Sequence, residues 1–157
     1  MESKTNRYRL FAIVSILVLA FVLAACGAKA TEEKEAAAKP SHGGGPGDAI
    51  NLKGDATNGA TLFTANCVSC HGEKGVGGIA NPGSTDGTVP ALAPIDSTMV
   101  NADYKTFATN IDLFVEHGSA PEGDNPTLVM AAFGDNKTLK PQEIADVIAY
   151  VISLNQK

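Results

Sequence analysis

The 157 residues suffice for one domain with an appendage and are too few for two sizeable cores. Twelve basic residues against seventeen acidic ones leave a net charge of −5, which argues against a nucleic-acid binder. Trp is absent and aromatic residues make up 6%, a modest supply for a core, and part of the 44% hydrophobic content lies in the first 25 residues.

Residues 1–9 carry Lys4, Arg7 and Arg9, and residues 10–23 are apolar apart from Ser15. This is the layout of a secretory signal, and the run is shorter than the ~20 residues of a spanning helix. Leu23-Ala24-Ala25-Cys26-Gly27 resembles the lipobox of bacterial lipoproteins. That resemblance implies cleavage before Cys26 and acylation of its sulfur, hence a lipid anchor on the extracytoplasmic face of a membrane. Ordinary cleavage after Ala30 is the alternative. The predicted organisation is a lipoprotein signal peptide over 1–25, a linker over 26–50 and a globular domain over 51–157. The linker holds a helix-favouring Glu/Ala/Lys stretch and then a Pro/Gly run around His42, with almost nothing to bury.

Within the domain, Asp55 predicts an N-cap for a helix running to about residue 67. Gly59, Phe63 and Cys67 are spaced four apart and share one face. The helix leads into Cys67-Val68-Ser69-Cys70-His71. This C-x-x-C-H pattern is the attachment signature of a c-type haem. Two sulfurs about one helical turn apart can each add to a vinyl group of a porphyrin, and the next residue, His71, can ligate the iron. A thioredoxin-like redox pair would need a βαβ context, which is missing here. A zinc site would need two more ligands, and Cys26, His42 and His117 stand at no zinc-like spacing. A Cys67–Cys70 disulfide would leave His71 without a role. With Cys26 acylated, haem attachment uses the other two cysteines and leaves no odd thiol.

Gly59, Phe63 and the C-x-x-C-H together resemble the N-terminal helix of the class I cytochromes c, and the resemblance extends over about residues 53–157. It implies an all-α fold of three main helices and long loops around one covalent haem. The Gly-rich loop over 72–88 lacks the ending of a phosphate-binding loop. Pro90, in Pro90-Ala91-Leu92, resembles the family proline whose carbonyl accepts a hydrogen bond from the axial histidine; Pro94 is the alternative. Asn101 or Asp103 predicts the start of a second helix ending at His117, with Phe107, Ile111, Phe114 and Val115 on one side and Gly118 closing it. His117, at a helix C-terminus, reads as a capping group before it reads as a ligand. Met130-Ala131-Ala132-Phe133, just ahead of the last helix, resembles the family's Met-Pro-x-Phe without its proline. The resemblance makes Met130 the sixth ligand; Met99 and His117 stay open as alternatives. Pro141 opens a last helix with a stripe of Ile144, Val147, Ile148 and Val151. Val147 and Tyr150 match the family positions that meet the Gly59/Phe63 helix.

An iron held by His71 and Met130 has no vacant side for a substrate and can exchange one electron with little rearrangement; sulfur ligation also raises its potential relative to two histidines. The sequence therefore reads as a membrane-tethered carrier of single electrons between respiratory or photosynthetic redox complexes, without enzymatic activity. A fixed haem subunit of a larger electron-transfer complex and a ligand-binding haem sensor are the rival readings. From Asn51 onward six lysines face twelve carboxylates, so no basic ring for an acidic partner is expected.

Overall fold

The computed structural model describes residues 43–156; the signal segment, Cys26 and the linker up to residue 42 lie outside the described residues. Among the described residues there are four α-helices: α1 (Ala56–Asn66), the single turn α2 (Val68–His71), α3 (Tyr104–His117) and α4 (Pro141–Asn155). Two 3-10 turns, Asp48–Asn51 and Glu73–Gly75, complete the regular structure. Among the described residues there is no strand, only the isolated bridges Ala80–Thr88 and Ser119–Met130. The expected all-α class with long loops is what the chain adopts. None of the described helices is long and apolar enough to cross a membrane.

Local chemistry sets the helix ends. The Asp55 carboxylate accepts the Thr57 N–H at 2.8 Å and so satisfies a donor that the first turn of α1 leaves free. Asp103 does the same for Thr106 at 2.8 Å, and its own N–H donates to the Asn101 side chain at 2.9 Å, so both candidate start residues of α3 take part. Gly118 ends α3 at φ 71, and a side chain there would run into the Met130 carbonyl. Pro141 stands in the first turn of α4, and the Lys140 N–H donates to the Glu143 carboxylate at 2.7 Å.

Helices α1 and α3 both pack on α4, which carries the densest part of the core in Ile144, Val147, Ile148 and Val151. At the α1–α4 crossing a Cβ on Gly59 would strike the Asp146 carbonyl and the Tyr150 Cβ. Only a glycine lets the two backbones lie this close. One turn on, Phe63 is 1% exposed and meets the Tyr150 ring at a centroid distance of 5.3 Å and an interplanar angle of 59°.

The same crossing hides a polar knot. Asp146, 3% exposed, accepts the Asp55 N–H at 2.8 Å, the Asn58 amide at 2.7 Å and the Gln142 amide at 2.9 Å. Burial alone would raise its pKa, but these three donors outweigh it and hold the carboxyl below its ordinary value.

Packing begins ahead of residue 51, where the domain was expected to start. Ala49 lies in the core, the Gly47 N–H donates to Asp112 at 2.7 Å, and His117 Nε2 bonds the Gly45 carbonyl at 2.9 Å. Asp112 is fully buried, its second oxygen Oδ1 has no hydrogen-bond partner, and burial raises its pKa. Residues 45–51 form a strap along α3. The reason they read as linker is that α3 side chains hold their backbone groups, and a Pro/Gly composition does not announce that.

Because the Asp146 pKa is depressed, its contribution is present above the unfolded carboxylate value of about 3.9 and is lost as pH falls through the lower folded value. Asp146→Asn keeps the shape but sets an amide against donors. Urea unfolding of the holoprotein at pH 7 should show a loss of about 2 kcal/mol, shrinking at pH 3. An equal loss at both pH values would refute the assignment.

Candidate haem crevice

Helix α1 passes into α2 almost without a break: the Cys67 N–H donates to the Phe63 carbonyl at 2.8 Å and the His71 N–H to the Cys67 carbonyl at 2.9 Å. Gly72, at φ 72, then turns the chain away. The α1–α4 crossing therefore fixes where the Cys-x-x-Cys-His stretch lies. Cys67 and Cys70 are free thiols rather than a disulfide. Burial first, and the neighbouring Cys70 second, push the Cys67 thiol up to about 11.

Between α1, α3, α4 and the loops lies a crevice walled almost wholly by apolar side chains, among them Phe63, Ile111, Phe114 and Val151. Cys67, His71 and Met130 all line it. Burial lowers the His71 pKa, opposed by the contact of Nδ1 with the Pro90 carbonyl, a long hydrogen bond at 3.4 Å. With Nδ1 donating to Pro90, Nε2 keeps its lone pair and is available to a metal. Pro90, rather than Pro94, supplies that carbonyl.

Met130 reaches the crevice from a loop. Its N–H donates to the Ser119 carbonyl at 2.9 Å, and its carbonyl accepts the Ser119 N–H at 3.1 Å. It does not sit directly at the start of α4, because turns over residues 133–137 intervene. Met99 also lines the crevice, and its carbonyl accepts the Asn110 amide at 2.8 Å. His117 is elsewhere: Nδ1 meets Asp135 at 3.0 Å and Nε2 the Gly45 carbonyl at 2.9 Å, so both ring nitrogens are engaged away from the crevice. Those bonds, Gly45 first and Asp135 second, raise its pKa. It is a strap-holding group more than a cap, and no spacing signal pointed to Gly45 or Asp135.

Sequence reasoning also missed three amide side chains. Asn81 brackets Leu128, Asn110 holds Met99, and Asn155 joins α4 to the Leu92 carbonyl at 2.8 Å and the Ile95 N–H at 2.9 Å. Isolated asparagines carry no periodic signal.

An apolar crevice lined by the Cys67 thiol, the His71 ring and the Met99 and Met130 thioethers, with Cys70 outside the lining but three residues on from Cys67 in the same helical stretch, has the donor set of a haem c pocket. The comparisons agree. The family model for cytochrome c matches residues 56–155, and the chain belongs to the cytochrome c family. It is 32% identical over 98 residues to the cbb3-type cytochrome c oxidase subunit FixP of Rhizobium meliloti (strain 1021), covering 62% of this chain but 29% of FixP, so it spans less than a third of that relative. It is 31% identical over 101 residues to cytochrome c6 of Nostoc sp. (strain PCC 7120 / SAG 25.82 / UTEX 2576), covering 64% of this chain and 72% of that protein. No solved structure gives a significant match. The chain thus carries covalently attached haem c and works in electron transfer.

Acid–acetone treatment of the purified protein should leave the colour with the polypeptide. The Cys67→Ala, Cys70→Ala double variant should lose its colour to the solvent, or fail to retain any. Colour that stays with the double variant would mean attachment elsewhere.

Proposed function

We propose that the chain is a lipid-anchored monohaem cytochrome that passes single electrons between redox complexes at the extracytoplasmic face of a membrane. Cys67 and Cys70 would hold the haem covalently through their sulfurs. His71 and Met130 would hold its iron, with the Pro90 carbonyl orienting His71. Cys26 carries the lipid. The observation that carries this reading is that Cys67, His71 and Met130 line one apolar crevice.

Haem c, when bound, supplies a one-electron iron couple. The protein's part would be to present the His71 and Met130 ligand atoms, exclude water and hold those atoms still, so that little rearranges when charge changes. The apolar walls favour the state of lower net charge, and thioether ligation favours ferrous iron; both raise the potential. Docking is mainly apolar or directed to a neutral or basic partner, as the acidic balance from Asn51 onward and the exposed Val76 and Val129 support. Confining both partners to one membrane raises their effective concentration and lessens the need for tight docking.

The likeness to an oxidase subunit supports a second reading, a fixed subunit of a larger complex. Stoichiometric companions after mild solubilisation and native purification would favour it over a shuttle.

Two outcomes are expected. Met130→Ala should abolish the weak near-red absorption band of a ferric iron–thioether bond and lower the potential, whereas Met99→Ala should do neither; loss of the band in Met99→Ala alone would assign the other methionine. Cys26→Ala should shift the protein from the membrane to the soluble fraction or leave its leader unprocessed. A processed protein still bound to membranes would refute the anchor.

A further inference from the structure

Methionine at an iron is a weak neutral ligand, so its hold depends on where the backbone puts it. Here the carrier of Met130 is the irregular loop over 119–129, which contains Pro121, Gly123 and Pro126 and has no helix or strand of its own. On one side the Ser119 bridge supports it. On the other side stands the excursion over residues 79–88.

That excursion is laced to the methionine loop. The Leu128 N–H donates to Asn81 Oδ1 at 2.7 Å, and Asn81 Nδ2 donates to the Leu128 carbonyl at 3.0 Å. The side-chain amide thus takes the place of a strand residue, pairing both backbone groups of a residue two positions before Met130. Asn81 is 1% exposed, and it ranks among the largest fully buried side chains, beside Phe63, Ile144, Ile148 and Asp112. Its own backbone is held too: its N–H donates to the Gly87 carbonyl at 2.8 Å, and its carbonyl accepts the Ser84 hydroxyl at 2.8 Å. Neighbouring rungs are the Thr127 N–H to the Pro82 carbonyl at 3.0 Å and the Thr85 N–H to the Glu122 carbonyl at 2.7 Å.

We propose that Asn81 is a positioning residue for the sixth ligand: through Leu128 it holds the Met130 loop against the crevice and so sets how readily an outside ligand displaces the methionine sulfur. This rests on Met130 being the ligand. Without the amide, the Leu128 N–H and carbonyl lose the one side chain that pairs them both, and the loop gains freedom to leave.

The test is imidazole titration of the ferric full-length holoprotein, followed in the visible spectrum, with amide hydrogen exchange at Leu128. Asn81→Ala should bind imidazole about tenfold more tightly than the unsubstituted protein, a factor matching the loss of one or two buried hydrogen bonds. It should also speed exchange at Leu128. If Asn81→Ala does not fold, Asn81→Ser, whose small hydroxyl admits water to the Leu128 peptide, reports the same change. Asn58→Ala loosens the Asp146 knot at the helix crossing instead; it should lower global stability yet leave imidazole affinity unchanged. Met130→Ala should bind imidazole more tightly than any of these. Equal rises in the Asn81 and Asn58 variants would reduce Asn81 to a merely structural role, and no rise in either Asn81 variant would overturn the proposal. No rise in Met130→Ala would overturn the ligand assignment beneath it.

Discussion

A Cβ at Gly59 would collide with the Asp146 carbonyl, so α1 can cross α4 at this distance only where the side chain is missing. The crossing decides more than helix packing. Phe63 lies one turn along α1, Cys67 two turns along, and α2 carries Cys70 and His71 directly after it. A shift of α1 by the width of a methyl group would move the whole haem-binding stretch relative to α3 and the loops opposite. Asp146 reinforces the same point from its side chain: it draws in the Asp55 N–H and the Asn58 amide, so the start of α1 is tied to α4 by bonds as well as by contact. The cost of burying a carboxylate is offset by three donors, and a partner removed there leaves a buried charge.

His71 and Met130 reach the crevice by different means. His71 ends a helical stretch whose backbone bonds run continuously back into α1, so its stiffness is inherited from regular structure. Met130 has no such inheritance. Its place comes from the Ser119 bridge on one side and from rungs to residues 79–88 on the other. On the proposed ligand assignment, a covalent haem is secured on the cysteine side whatever the loops do, and the methionine side is where strength can be varied at little risk to folding.

What could be read from the residues follows this division. The helices, their caps at Asp55 and Asp103, the closing Gly118 and the apolar stripe of α4 were legible because each rests on local spacing or on a residue's own backbone preference. The Cys67-to-His71 pattern was legible because five adjacent residues carry the chemistry together. Residues held across long sequence separations were not. Asn81 meets Leu128, His117 meets Gly45, and Asp146 meets Asp55 only after folding, and a single Asn, His or Asp announces no distant partner. The strap before Asn51 was misread for the same reason: its hold comes from Asp112 and His117 on α3, not from anything in its own composition.

That strap has a mechanical consequence. Tension arriving along the chain from upstream of Gly45 is met first by the Gly45–His117 and Gly47–Asp112 bonds, then by Ala49 seated in the core. The first two contacts lie on α3, whose Ile111, Phe114 and Val115 line the crevice, and the 3-10 turn that carries Ala49 packs on α3 and α4 together. A pull is therefore shared between two helices of the core before any of it reaches Asp55 and the start of α1.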